Sequence, residues 1–227
     1  MAREYNYTQC KITYGIDIAM SNPTGLRDRK KEATRQAISN VATQLFVERG
    51  FENVSVAEIA EEADVSRKTV FNYFARKEDL VFDREDELRA LVRKAIASRG
   101  AQPPAVAFQT LMRSMVDTQH PLFRIGDRAA EFWRTVAESP ALTTRARELQ
   151  VTFADDLAAM LSAAVGQPPS DPDARLAAGM LMATLVVAYS EALRVLHANG
   201  APVAALVAVM ERGFAGVAAT FAGTAYA

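Results

Sequence analysis

Residues 54–80 read VSVAEIAEEADVSRKTVFNYFARKEDL, and their spacing predicts two short helices around a tight turn. Val56, Ile59, Ala60 and Ala63 fall at i, i+3, i+4 and i+7, an apolar stripe with Glu58, Glu61 and Glu62 off it. Ser55 and Glu58 have capping-box spacing, in which the serine hydroxyl accepts an orphan N–H and the glutamate reaches back to the cap's own N–H. Asp64 marks the turn and Val65 supplies an apolar plug. Ser66 then caps a second helix that opens with Arg67, Lys68 and Thr69 and carries Val70, Phe71, Tyr73 and Phe74 as its apolar residues.

Four cations, Arg67, Lys68, Arg76 and Lys77, lie between Val65 and Lys77 without a carboxylate among them. The N-terminal end of a recognition helix meets base edges in the major groove, with phosphates on both flanks. There an Arg or Lys reads guanine O6/N7, and Thr69, Asn72 and Tyr73 reach phosphates or bases. Ser55, Ser66 and Lys77 complete the candidate contacts of this segment. The competing reading is a solvated helical hairpin; the capped first helix, short turn and carboxylate-free second helix favour a DNA-reading helix-turn-helix.

Upstream, Ile38, Val41, Ala42, Leu45 and Phe46 repeat at helical spacing, and Gly50 is placed to end that helix with Phe51 folding back on its last turn. Ahead of the stripe, Arg27, Arg29, Lys30, Lys31 and Arg35 face only Asp28 and Glu32. Cations at a helix start oppose its dipole. The cluster suits a phosphate backbone or minor groove, the alternative being a solvated face.

From Gly25 to Leu80, through GLRDRKKEATRQAI, LFVERGFENVSVAEIAEEADVSRKTVFNYF and KEDL, the chain resembles the TetR family of transcriptional regulators. The resemblance implies an all-α protein: a three-helix helix-turn-helix DNA-binding domain (24–76) and a helical ligand-binding and dimerisation domain (77–227). It also implies a dimer that represses and leaves its DNA when a small molecule binds. Asp64 stands where glycine is frequent in the family, Phe71 where tyrosine is, Tyr73 where histidine is, and Arg76 where a small capping residue is. At Phe71 a hydroxyl is missing, and with it one expected phosphate contact, for which Tyr73 is the candidate replacement.

Charge narrows the partners. With 26 Lys and Arg against 27 Asp and Glu, DNA affinity must be local, and the compensating acid begins at Asp83, Glu85, Asp86 and Glu87. Half the residues are hydrophobic, enough for a sizeable core. LMATLVVAY (181–189) is too short to span a membrane. The lone Cys10 suits a reducing cytoplasm, where a bacterial regulator would sit on the nucleoid when DNA-bound. His120 and His197 lack a ligand cluster, and no P-loop, glycine fingerprint or HExxH motif is present, so neither metal, cofactor nor enzyme activity is expected.

Beyond Lys77, Gly and Pro divide the chain into expected helices at 77–98, 104–118, 121–138, 140–165, 171–198 and 202–221, about nine in all. The first is the natural lever to the DNA-binding unit. The last two are apolar around most of their circumference, which predicts burial against a second copy in a two-fold four-helix interface with Leu185, Val207, Met210 and Phe214 as anchors; the alternative is a thick monomeric core. Phe108, Met112, Met115, Phe123, Trp133, Phe153, Met182 and Tyr189 are candidates to line an apolar pocket, with His120, Arg124 and Asp127 as polar contacts. Most residues of these types at helical spacing serve as ordinary core.

The expected function is a repressor released from a pseudo-palindromic operator by a small hydrophobic or aromatic effector, the alternative being a DNA-binding module without one. Residues 1–23 show neither helical periodicity nor a signal-peptide pattern and are expected to form a disordered arm. Met20 is an alternative translation start, which the mass of the native protein distinguishes from Met1.

Overall fold

A computed structural model describes residues 25–227; the expected arm, Cys10 and Met20 lie outside them. The described residues form nine α-helices and no strand: α1 (Leu26–Arg49), α2 (Val56–Glu62), α3 (Arg67–Tyr73), α4 (Glu85–Ala97), α5 (Pro104–Asp117), α6 (Asp127–Glu138), α7 (Pro140–Ala164), α8 (Pro172–His197) and α9 (Pro202–Thr220). The all-α expectation holds.

Local signals set the first three helices. Gly50 adopts a φ of 80° and its N–H returns to the Phe46 carbonyl, while the Phe46 and Phe51 rings meet at 4.9 Å. After α2 the Asp64 N–H bonds to Glu61 and the Val65 N–H to Ala60, the paired closure of a Schellman motif. Asp64 takes the left-handed conformation there, with φ 51°, which aspartate tolerates better than most L residues. The turn therefore keeps its shape without the glycine frequent at this place.

Two expected helices are broken. The 77–98 segment becomes a short 3₁₀ turn (Glu78–Leu80), a bend and then α4. At this break α1 anchors the chain: Ser39 Oγ donates to the Leu80 carbonyl and Arg35 to that of Asp83. The 121–138 segment divides likewise into a 3₁₀ turn (Pro121–Phe123) and α6, separated at Gly126, whose backbone is fully extended.

Side chains bury into two cores. Ile38, Ala42, Phe46, Ile59, Val70, Phe74 and Leu80 gather in the first, joined by Val136 from α6 and Leu142 from α7. Phe108, Met112, Phe153, Leu157, Leu161, Leu181, Leu206, Met210 and Phe214 anchor the second, formed mainly by α5, α7, α8 and α9. The α8–α9 hairpin turns through Asn199, in the left-handed region at φ 54°. Gly213 lets its two helices approach closely, since a Cβ there would lie 2.2 Å from Thr184 Oγ1.

Contrary to the expectation from the short run at 181–189, α8 and α9 are each long and apolar enough, by length and composition, to cross a membrane, with mean hydropathies of 1.6 and 1.5 over 18-residue windows. Alanines between the large residues sustain the average. Both helices nonetheless contribute one side to the second core, and α9 is tied to α5 by the Arg113–Glu211 ion pair.

Gly213→Ala should lower the thermal unfolding midpoint: overpacking typically costs about 1–3 kcal/mol, against the roughly 1 kcal/mol that alanine adds in helix propensity. Adding Thr184→Ala removes two of the three nearest clashing atoms and should recover part of the loss, which calorimetry of the double-mutant cycle reads directly.

Candidate nucleic-acid interface

Both helices of the turn are capped by their own serines. Ser55 Oγ accepts from the Glu58 N–H at 3.3 Å while Glu58 Oε2 accepts from the Ser55 N–H at 2.8 Å; that backbone bond, followed by donation from the Ser55 hydroxyl at 2.7 Å, holds the Glu58 carboxyl below its ordinary pKa. Ser66 Oγ accepts from the Thr69 N–H at 3.0 Å and pairs with Thr69 Oγ1 at 2.8 Å. Ser55 and Ser66 are thus occupied as helix caps.

Val70 and Phe74 bury into the first core and fix the rotation of α3. Arg67, Lys68, Phe71 and Asn72 are consequently exposed on its other side, with Thr69 and Tyr73 half-buried at the edges. Arg67 and Lys68 make no ion pair with any described residue. Arg27, Arg29, Lys30 and Lys31 are likewise exposed on the first turns of α1.

Other cations nearby have partners within the chain, Lys77 and Arg35 part-buried and Arg76 at the surface. Lys77, expected at DNA, donates to the Phe51 carbonyl and lies 4.0 Å from the centre of the Phe51 ring. Burial, the largest cause, pushes its pKa down; the ammonium braces the loop after α1. Arg76 pairs with Glu148 on α7 at 3.1 Å. Arg35 reaches the Asp83 carbonyl at 2.7 Å and stacks over Phe74.

This helix-turn-helix coincides with a family match: residues 38–83 fit the model of bacterial regulatory proteins of the tetR family. The regulator TcmR of Streptomyces glaucescens is 41% identical over 59 residues, 26% of each chain, so the match spans about a quarter of that relative's length. An uncharacterised HTH-type transcriptional regulator of Haemophilus influenzae is 29% identical over 148 residues, 61% of this chain and 68% of that one. Residues 38–83 are thus a TetR-family helix-turn-helix segment. The fold of the chain also matches the crystal structure of NalD, described as a secondary repressor of the MexAB-OprM multidrug efflux pump in Pseudomonas aeruginosa, with a TM-score of 0.54, 18% identity, and coverage of 82% of this chain and 97% of that one. TetR-family proteins are regulators, not enzymes.

The residues expected to line a pocket pack largely against one another. Phe108, Met112, Met115 and Phe153 pack in the second core, and the two best-formed concavities among the described residues open on the surface elsewhere, one beside Ala154 and Arg175 and the other beside Arg76 and Arg145. Phe123, Met182 and Tyr189 are partly buried against the same core, whereas Arg124 and Asp127 are exposed. Trp133 packs instead against the first core and touches Tyr189 across 5.7 Å between ring centres. Burial raises the Tyr189 hydroxyl pKa, opposed in part by its hydrogen bond with Trp133.

Two of the expected dimer anchors are corrected. Met210 and Phe214 are each 1% exposed within the single chain, because the Gly213–Thr184 contact rotates that side of α9 onto α8. Leu185 is half-buried, and Val207 faces outward. Periodicity alone did not single out Leu176, Val186, Val187 and Val203, which are exposed, like Val207, on the same hairpin.

His120 is buried beside Glu87, its Nε2 3.7 Å from Glu87 Oε1, and its Nδ1 accepts from the Leu122 N–H. Burial pushes its pKa below 6.5; Glu87 opposes this and Arg84 adds to it. A depressed histidine pKa stabilises the neutral folded form, so this contribution is complete above the unfolded value and lost as pH falls below about 6.5 toward the folded value. Unfolding midpoints between pH 7.5 and 5.5 should therefore fall less steeply in His120→Gln than in the parent chain.

Proposed function

We propose that the chain is a homodimeric repressor that reads a pseudo-palindromic operator with two copies of α3 and is released by a small hydrophobic or aromatic effector. The observation that carries the DNA reading is the outward side of α3, where Arg67 and Lys68 stay exposed while Arg76, Lys77 and Arg35 have partners within the chain. Asn72, Thr69 and Tyr73 extend that side. Arg27, Arg29, Lys30 and Lys31 supply phosphate contacts that position the helix without reading sequence. Such a regulator works in the bacterial cytoplasm.

Dimerisation is supported by the exposed Leu176, Val186, Val187, Val203 and Val207 on the α8–α9 hairpin. Exposed large apolar residues concentrated on one hairpin favour a protein interface, and two such hairpins make a four-helix bundle. It also accounts for helices apolar enough to satisfy a membrane criterion. Release by an effector draws support from the contact between Trp133 and Tyr189, which joins the two cores. The packed second core favours the other reading, a DNA-binding module without an effector. A metabolite that shifts the fluorescence of Trp133, the chain's single tryptophan, and releases bound DNA at the same concentrations would decide for the effector.

Purified protein should select a two-fold symmetric sequence from random duplexes. Against that operator Arg67→Ala or Lys68→Ala should lose roughly 1–3 kcal/mol and relax specificity at one position, whereas Arg29→Ala should weaken all duplexes evenly and flatten the salt slope by about one. Unchanged gel-shift affinity in all three variants would remove the assignment. Light scattering should give a dimer at micromolar concentration, and Val187→Glu with Val207→Glu should yield monomers that lose the operator; a monomeric parent chain would overturn the interface.

A further inference from the structure

We propose that Phe71 is a specificity determinant that reads the C5-methyl group of a thymine in the major groove, an inference that rests on the DNA-reading function of α3. Phe71 is 50% exposed, and among the described residues it is the one aromatic side chain in the exposed large hydrophobic set. The core side of α3 is already occupied by Val70 and Phe74. Phe71 belongs to neither core cluster and makes no ring or cation–π contact with a described residue. Half of its surface thus stays in solvent, outside both cores.

Its position on the helix is specific. At about 100° per residue, Phe71 projects roughly 40° around α3 from Arg67 and 60° from Lys68, one turn further along, so it lies between the directions of the two exposed cations. Asn72 continues the same arc. Where Arg67 and Lys68 hold this side against the negatively charged duplex, the phenyl ring enters with them. A phenyl group has neither a donor nor an acceptor for a phosphate oxygen. The apolar group that a base pair displays in the major groove is the thymine methyl, and burying it against the ring removes apolar surface of both partners from water.

The test uses the duplex that the purified chain itself selects. Each thymine of a half-site is replaced in turn by deoxyuridine, which deletes the methyl and keeps the pairing, and affinities are measured for the parent chain and Phe71→Ala. One thymine should matter: its replacement in one half-site should weaken the parent about fourfold, as expected for one buried methyl, and in both half-sites about fifteenfold. Phe71→Ala should bind the thymine and uracil duplexes equally, with an unfolding midpoint unchanged from the parent because the side chain is outside both cores. A parent chain indifferent to uracil at every position, or discrimination that persists in Phe71→Ala, would overturn the proposal while leaving the DNA reading intact. A chain that selects no duplex would remove the DNA reading itself, and the proposal with it.

Discussion

The dependence of the small N-terminal unit on residues borrowed from the α6–α7 junction governs how the molecule can work. A three-helix unit of some fifty residues buries little apolar surface by itself. Here Val136 and Leu142 complete its core from the other side of the chain. Ser139, the single residue between α6 and α7, caps α7 by accepting from the Leu142 N–H and donates to Glu52 Oε1 at 2.8 Å. Arg145 on α7 holds Asp79 at 2.9 Å, and Glu148 joins Arg145 to Arg76. Close-packed contacts do not stretch; they shift as a unit or break. The α6–α7 junction is thus joined by direct contacts to the segment that follows α3.

This arrangement replaces the lever expected from a continuous helix beginning at Lys77. Where Ser39 and Arg35 claim the Leu80 and Asp83 carbonyls, the chain bends between the 3₁₀ turn and α4. A line of ring contacts runs instead from Phe82 to Phe132 at 6.5 Å, to Trp133 at 5.4 Å and to Tyr189 at 5.7 Å. It starts in the first core and ends on α8, the helix that carries part of the exposed apolar set. Adjacency of this kind supplies a mechanical connection, and coupling follows only where the connected elements have two stable arrangements.

The features legible in the sequence are those fixed within a few residues. The capping box at Ser55 and Glu58, the Ser66 cap, the turn at Asp64 and the return of Phe51 onto α1 depend on neighbours in the chain, and each forms where its spacing places it. The directions of the cations were not legible in the same way. Lys77 is claimed by a carbonyl 26 residues away, Arg76 by a carboxylate 72 residues away and Arg35 by a carbonyl 48 residues away, partners that no local window contains. In α9 the difficulty was different: a helix apolar on every side gives no periodic sign of which side faces its own core. Gly213, by admitting Thr184, selects that side and sends Met210 and Phe214 inward while Val207 remains out.

The length of α3 links the reading surface to the hairpin at the other end of the molecule. Seven residues rise about 10 Å, comparable to the roughly 12 Å width of the major groove. At about 3.4 Å per base pair, such a helix faces three or four pairs. A fully specified four-pair site recurs about once in 256 random positions, which cannot compete with the 10⁶ or more non-specific sites of a genome. In the proposed complex, two copies held at one helical repeat would square that figure to about 65,000, closer to though still short of the number of competing sites, and the proposed phosphate contacts of both α1 helices would add affinity. The proposed operator reading therefore gains most of its specificity from a second copy, and the exposed valines of α8 and α9 are the surface proposed to hold it.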